Sequence, residues 1–330
     1  MKAHIITQFG DPSVFKIANI SKPELKPGHV ILQVKATSVN QIDCKIRSGA
    51  VPDIAPNFPA VLHGDVAGIV VAVSSDVLHF KIGDEVYACG GGVKGTSGAL
   101  AELMLVDAHL IAKKPKKISM SEAAALPLVS ITAWEGLFLK ARLQAGQTIL
   151  IHGGVGGVGH IAVQLARAVK AKVFATVTSK EDFSLAKKFG ALDVINAKDE
   201  TVDSYVQRLT HGKGFDIIFD TVGGTNLDRS FAAAAIDGTV VTTAARSTHD
   251  LTPLHNKGLN LDVVFMLNPL LKNLNRAKQG FILKDLAALV DEGAVRPWVD
   301  SHSFVFDQIS EAHALLESGQ ARGKVVLNNQ

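Results

Sequence analysis

The sequence predicts an α/β protein in which a doubly wound parallel sheet is joined to a compact, β-rich, barrel-like domain. Three observations carry this. From Thr148 onward, short apolar runs alternate with helical patterns, the mark of parallel strands linked by crossover helices. The first of these runs passes through a turn with five glycines in seven residues, Gly153 to Gly159, into a helical pattern. Residues 1–120 instead show short β-branched segments broken by turn signals such as Lys26-Pro27-Gly28-His29, which suggests a compact barrel-like domain.

Taken in order, Val30–Ala36 and Ala67–Val73 read as strands of the first domain. Ser119 or Ser121 is placed to cap a helix that breaks at Pro127 and resumes towards Leu143. The strand Thr148–Ile151 leads into the glycine turn. A helix over 180–189 precedes strand 193–196, one over 201–209 precedes strand 215–220, and one over 226–235 precedes strand 239–243. A further strand is expected over 261–266. There the alternation stops, and a helix near 280–292, the segment 304–306, a helix over 308–317 and a last strand over 324–327 follow. These last pieces look like strands returning to the first domain.

The glycine turn carries the chemistry. Gly154, Gly156 and Gly159 fill the G-x-G-x-x-G positions between a strand and a helix, the context that binds a dinucleotide. On this reading Gly154 lets the chain turn tightly, and Gly156 lets the backbone approach a pyrophosphate. Gly159 lets helix and strand pack closely, and the first N–H groups of the helix face the anion. The next strand, Lys172–Thr178, ends without the carboxylate that would bind an adenosine ribose. Ser179 and Lys180 stand there instead, a hydroxyl and a cation suited to a 2′-phosphate, so NADPH is favoured over NADH. Ser179 is equally placed to cap the next helix, with Asp182 completing a capping box, and the two roles are compatible.

Composition sets the limits. With 34 basic and 31 acidic residues the net charge is +3, and no basic patch with interleaved aromatics points to nucleic acid. Lys113-Lys114-Pro115-Lys116-Lys117 reads as a solvated loop. Two cysteines, Cys44 and Cys89, fit a reducing compartment. No signal peptide is visible, and no apolar run approaches the ~20 residues of a membrane span. A soluble, cytoplasmic protein is the expectation.

Val39-Asn40-Gln41-Ile42-Asp43, His63-Gly64-Asp65-Val66-Ala67-Gly68, Gly83-Asp84-Glu85-Val86, Gly98-Ala99-Leu100-Ala101-Glu102, the glycine turn and Asp220-Thr221-Val222-Gly223-Gly224 occur in that order. Together they resemble the medium-chain dehydrogenase/reductase superfamily over nearly the whole chain, and within it the zinc-independent quinone oxidoreductases (zeta-crystallin-like). The resemblance implies a chaperonin-10-like catalytic domain from 1–122 and 268–330, and a Rossmann NADP-binding domain from 123–267. It also implies an active-site cleft between the two and a homodimer.

In the zinc-dependent alcohol dehydrogenases the Asn40 region carries a Cys ligand and the Gly64 position a His. Neither is present here, the four-cysteine lobe is missing, and His63 stands one residue out of register and reads as structural. A catalytic zinc needs three protein ligands, so no metal is expected. Without a Lewis acid, alcohol oxidation is disfavoured. Hydride donation from NADPH to a conjugated acceptor remains, a quinone or an α,β-unsaturated carbonyl, with hydrogen bonds stabilising the developing enolate.

Residue by residue, the resemblance places Asn40 and Asp43 near the nicotinamide, with Thr132 bonding its amide. Gly156, Gly157 and Val158 would cradle the pyrophosphate, with Gly154 and Val155 beside them. Ser179 and Lys180, next to Thr178, would take the 2′-phosphate. Phe265 and Met266 would flank the nicotinamide, and Val222 and Lys324 complete the cofactor set. The plainer readings stay open beside these. Asn40 would only satisfy a turn, Asp43 would be a surface carboxylate, Phe265 and Met266 core or dimer contacts, and Lys324 a solvated lysine. Two tyrosines often found in related reductases are replaced, one by Ala197 and one within Ala50-Val51-Pro52. The same scaffold would also suit an enoyl-thioester reductase, or an NADPH-binding protein with little turnover.

Overall fold

The structure, a computed structural model, describes residues 1–329. It divides into two compact units. The first comprises Met1–Leu128, Leu267–Gly293 and the chain from Pro297 onward; the second comprises Val129–Met266 and Ala294–Arg296.

In the first unit, β1 (Lys2–Ile6) pairs with β2 (Lys16–Asn19) and β4 (Ala60–Val61) in a small antiparallel sheet. The larger sheet is built on β3 (His29–Ser38), with which β5 (Asp65–Val73), β7 (Leu103–Asp107) and β16 (Val326–Asn328) pair antiparallel. β6 (Glu85–Cys89), β8 (Ile111–Lys113) and β15 (Phe304–Val305) extend it. The last strand therefore closes on the N-terminal domain, with Leu327 opposite Thr37. Helix α1 (Gln41–Ser48) follows β3 directly, and Gly49 ends it at φ 82, the left-handed conformation that glycine adopts without strain. Gly98 matters for packing, because a Cβ there would stand 2.0 Å from the Leu62 carbonyl oxygen.

The second unit holds six parallel strands: β9 (Thr148–His152), β10 (Lys172–Val177), β11 (Asp193–Asn196), β12 (Phe215–Asp220), β13 (Ala234–Thr242) and β14 (Asn260–Val263). Their order is β11-β10-β9-β12-β13-β14, the doubly wound arrangement whose strand order reverses at β9. On one face of the sheet Leu150, Phe174, Ile195 and Ile218 join Phe231 of the helix Asn226–Ala233 in one buried cluster. That burial is why these strands read as unbroken apolar runs.

Boundaries moved where tertiary contacts overrode local pattern. The second unit begins at Val129, and helix α2 (Met120–Ala124), which packs on β3 and β5, lies in the first. Gln164 holds both the N–H (2.9 Å) and the C=O (3.0 Å) of Arg296, which draws Ala294–Arg296 into the second unit. Ser119 is the cap of α2, with Glu122 returning the bond, and Pro127 begins helix α3 (Pro127–Trp134), at a position where its missing N–H costs nothing. The helix expected over 226–235 ends at Ala233, since β13 starts at once and pairs with β12. The strand expected over 261–266 ends at Val263, its last pairing with β13.

Candidate active site

Two assemblies hold the residues singled out above, one in each unit. In the second unit, helix α4 (Gly157–Ala168) starts immediately after the glycine turn, with Gly156 as its extended N-cap. The first intrahelical N–H is that of His160, donated to Gly156 O at 2.9 Å. The N–H groups of the preceding turn lack intrahelical acceptors and suit an anion. The glycine roles differ from expectation by one residue. The left-handed turn is at Gly153 (φ 69), while Gly154 must be small because a Cβ would lie 2.5 Å from Ala175 Cβ on β10. At Gly156 a Cβ would meet only Gly153 O, at 3.2 Å, so the face beside it is open.

At the end of β10, Thr178 and Lys180 are exposed and Ser179 is half-buried. The Ser179 hydroxyl caps the short helical turn that follows, accepting from Glu181 N–H at 3.3 Å. After β12, Asp220 Oδ1 accepts from the N–H groups of Val222 (2.8 Å) and Gly223 (2.9 Å), which leaves the Val222 side chain outward and exposed. Thr132 is buried within α3. Met266 is buried and Phe265 is 37% exposed.

A cavity of about 330 Å³ lies at the carboxyl ends of β9, β10 and β11, lined by His152, Thr176, Ala197, Tyr205, Asn226 and Arg229 among others. Three buried polar atoms facing this region have no protein partner: His152 Nε2, Tyr205 Oη and Asn226 Nδ2. Burial pushes His152 down to about 4, so its ring is neutral near pH 7, and pushes Tyr205 up to about 12. Unpaired buried polar atoms are costly unless a ligand or water completes them, so this cavity suits a polar occupant. Sequence reading missed these residues. The one available signal was His152 itself, a polar side chain sharing a strand face with buried Leu150.

In the first unit, Asn40, Asp43, Asp65 and Lys324 converge in a buried polar cluster. Asn40 Nδ2 donates to Asp65 Oδ2 at 2.8 Å, and its Oδ1 accepts from the Lys324 ammonium. Lys324 also donates to Val39 O at 3.1 Å and stands 3.8 Å from Asp65. Asp65 further accepts from Ser38 Oγ (2.7 Å) and Leu128 N–H (2.8 Å). Asp43 is not a surface carboxylate: it is 3% exposed and accepts the Asn40 backbone N–H at 2.8 Å. Lys324 is not a solvated lysine either, being 4% exposed. Burial lowers the Lys324 pKa, opposed by Asp65 and Asp43, and burial raises that of Asp65 against the pull of Lys324.

Burial also pushes Asp43 up to about 7. A folded-state value above the unfolded one favours the protonated form. Its stabilisation is full below the unfolded value near 3.8 and is lost as pH rises through about 7. Asn at this position keeps an acceptor for the Asn40 N–H without the charge. Asp43→Asn is therefore expected to melt progressively above the wild type as pH rises from about 4 to about 7, with a constant gap beyond. A gap that shrinks with rising pH would contradict this.

His63 is fully buried at φ 72 and belongs to a hydrogen-bond chain. The Thr37 hydroxyl donates to Asp65 O at 2.6 Å, so His63 Nδ1 donates to Thr37 Oγ1 at 3.2 Å. That assigns His63 Nε2 as acceptor for His313 Nε2–H at 2.9 Å, and His313 Nδ1 as acceptor for the Cys44 thiol at 3.4 Å. Among the described residues no group of three or more His, Cys, Asp or Glu is placed to hold a metal ion. Among them, too, no helix is long and apolar enough to cross a membrane.

Residues 157–279 match the family Zinc-binding dehydrogenase, and residues 26–116 the family Alcohol dehydrogenase GroES-like domain. The chain is similar to 2-methylene-furan-3-one reductase of Solanum lycopersicum, at 34% identity over 99% of this chain and 79% of that protein. It has the same identity and coverage with NADPH-dependent alkenal/one oxidoreductase of Arabidopsis thaliana. Quinone oxidoreductase of Homo sapiens is 29% identical, over 99% of this chain and 97% of that one. Among solved structures, an alcohol dehydrogenase superfamily protein from Novosphingobium aromaticivorans superposes with TM-score 0.95 at 40% identity, both chains covered fully. A mycobacterial protein solved in complex with NADPH superposes at 0.87, with 28% identity over 99% of this chain and 100% of that one.

Proposed function

The chain belongs to the medium-chain dehydrogenase/reductase superfamily, in its quinone oxidoreductase group, and from that premise we propose that it reduces quinones or α,β-unsaturated carbonyls with NADPH and without a metal ion. The observation that carries the cofactor half is the open glycine turn at the start of α4, near a cavity with three unpartnered polar atoms. These residues fit NADPH. The free N–H groups of Gly157 and Val158 would hold its pyrophosphate, and the cavity near Ala197 its adenosine. Ser179 and Lys180 would hold the 2′-phosphate, since the strand β10 ends without the acid that would bind an adenosine ribose. When bound, this cofactor supplies a hydride.

The rest falls to the protein. Thr132, Phe265 and Met266 are assigned to the nicotinamide, and Asn40 to the acceptor's oxygen. Metal-free chemistry is proposed because Asn40 and Gly64 stand where zinc-dependent members carry Cys and His. A homodimer in the cytoplasm belongs to the same reading, supported by family membership and two free, buried cysteines.

The test is NADPH and NADH consumption against a benzoquinone, a naphthoquinone, an enone and an enal, with a primary alcohol and NADP⁺ as control. Turnover of a quinone or enone is expected, with none of the alcohol. Lys180→Ala should weaken NADPH roughly tenfold or more, the worth of one charge-assisted contact, and leave NADH within about twofold. Equal losses for both cofactors would remove Lys180 from the 2′-phosphate. Tight NADPH binding without turnover of any acceptor would make this a cofactor-binding protein.

A further inference from the structure

We propose that Lys324 is a positioning residue that locks the Asn40 amide in one orientation, so that Asn40 offers an N–H, and not a carbonyl, to the acceptor's oxygen as negative charge develops there. This rests on the reductase reading above.

An asparagine amide is two-sided. It accepts through Oδ1 and donates through Nδ2, and a half-turn of its terminal torsion exchanges the two. Around Asn40 the neighbours remove the choice. The Lys324 ammonium can only donate, and it lies on Oδ1. Asp65 Oδ2 lies 2.8 Å from Nδ2, and an ionised carboxylate can only accept. A flipped amide would set NH₂ against an ammonium and C=O against a carboxylate, two repulsive contacts in place of two attractive ones.

The lock is itself held. Lys324 is fixed by Val39 O, and Asp65 commits one oxygen to Leu128 N–H and shares the other between Ser38 and Asn40. The Asn40 backbone is pinned by Asp43. Asn40, Asp65 and Lys324 are each no more than 5% exposed, so solvent does little to soften the penalty for the wrong orientation.

Of the two Nδ2 hydrogens one goes to Asp65. The second is a donor whose direction the ammonium and the carboxylate have already set. In the reduction, a hydride adds with its electron pair to the β-carbon or quinone ring. The displaced π electrons move to the acceptor's oxygen, and a proton from water then completes the product. Negative charge grows on that oxygen in the transition state and is full in the enolate that follows, so a preset donor there lowers the barrier more than it tightens ground-state binding.

Two readouts test this. Asn40→Asp keeps the shape and removes both donors, and kcat for an enone should fall about 100-fold or more, with KM for NADPH changed less than about threefold. Lys324→Met paired with Asp65→Asn removes the two locking charges together, which avoids stranding a buried carboxylate. The paired variant should keep a cooperative melt and lose about tenfold in kcat. The second readout needs no turnover. 4-Nitrophenol, offered with NADP⁺, stands in for the oxyanion. Wild type should bind it as the phenolate, visible as the coloured form at a pH where free phenol is neutral, and Asn40→Asp should lose that preference.

Asn40→Asp retaining kcat within about threefold, or wild type taking the neutral phenol as readily as the variant does, would overturn the proposal. Wild type that turns over no quinone or enone, yet shows a phenolate preference abolished by Asn40→Asp, would sink the reductase reading and leave standing only the fixed Asn40 donor facing an oxyanion.

Discussion

Gly159→Ala is expected to cost the protein both its cofactor and much of its stability. A Cβ at 159 would stand 2.0 Å from Gly153 O, 2.8 Å from Gly153 C and 3.0 Å from Gly154 Cα. All three are backbone atoms of the turn, so no side chain can swing aside. Helix α4 would have to lift away from β9, at a cost of about 3 kcal/mol, the upper end for overpacking. The melting temperature should then drop by roughly 6 °C or more. Because α4 carries the N–H groups assigned to the pyrophosphate, NADPH affinity measured by fluorescence should fall about 100-fold or more.

Gly156→Ala separates the two effects. Its Cβ would meet only Gly153 O, at 3.2 Å, and otherwise open space. This variant should melt close to the wild type and still bind NADPH weakly, because the methyl fills the face through which the pyrophosphate approaches. A Gly159→Ala protein with wild-type melting would show that the close approach of helix and turn is not as described. A Gly156→Ala protein with wild-type affinity would move the pyrophosphate elsewhere.

A second large effect is expected with acid. His63 and His313 face each other through Nε2, and burial drives both pKa values down, His63 well below its ordinary value and His313 to about 3. Thr37 and Cys44 occupy the outer ring nitrogens, so each ring is held neutral by its hydrogen bonds as well as by burial. Folded-state values below the unfolded 6.5 mean that the unfolded chain binds more protons. The stability is complete above about pH 6.5 and is lost as pH falls towards the folded values. For His313 alone the loss by about pH 3 is on the order of 4 kcal/mol. Urea unfolding followed from about pH 7.5 to pH 3.5 should show this slope, shallower by up to one proton in His313→Gln. Identical slopes in the two proteins would mean that His313 titrates normally in the fold.

Much of this was legible in the chain. Strands β9, β11 and β12 read directly as apolar runs because both faces of a parallel sheet are buried. The glycine turn was legible because its strand and helix flanks are contiguous in sequence. The helix Val202–Thr210 was legible from its pattern to within a residue, its expected first residue Thr201 proving to be the cap, whose hydroxyl accepts from Ser204 N–H. Local signals failed where distant residues decide. Nothing near Gly153 says that the left-handed turn falls there and not at Gly154, nor that Gly154 is kept small by Ala175 on the next strand. Asp43 looks like any helical carboxylate, and the cavity near Ala197 depends on side chains from five separate segments.

The sequence by itself determined the doubly wound sheet, the dinucleotide fingerprint and the absence of an acid at the end of β10, since each is written in neighbouring residues through burial period and backbone freedom. Only the tertiary structure decided the state of Lys324. That lysine lies 284 residues from Asn40, and the chain alone leaves it between a cofactor contact and a solvated side chain, until β16 pairs with β3 and buries it against Asn40 and Asp65. The physical reason is general to buried charge: its cost and its partners are set by what the fold brings alongside, which no local pattern records.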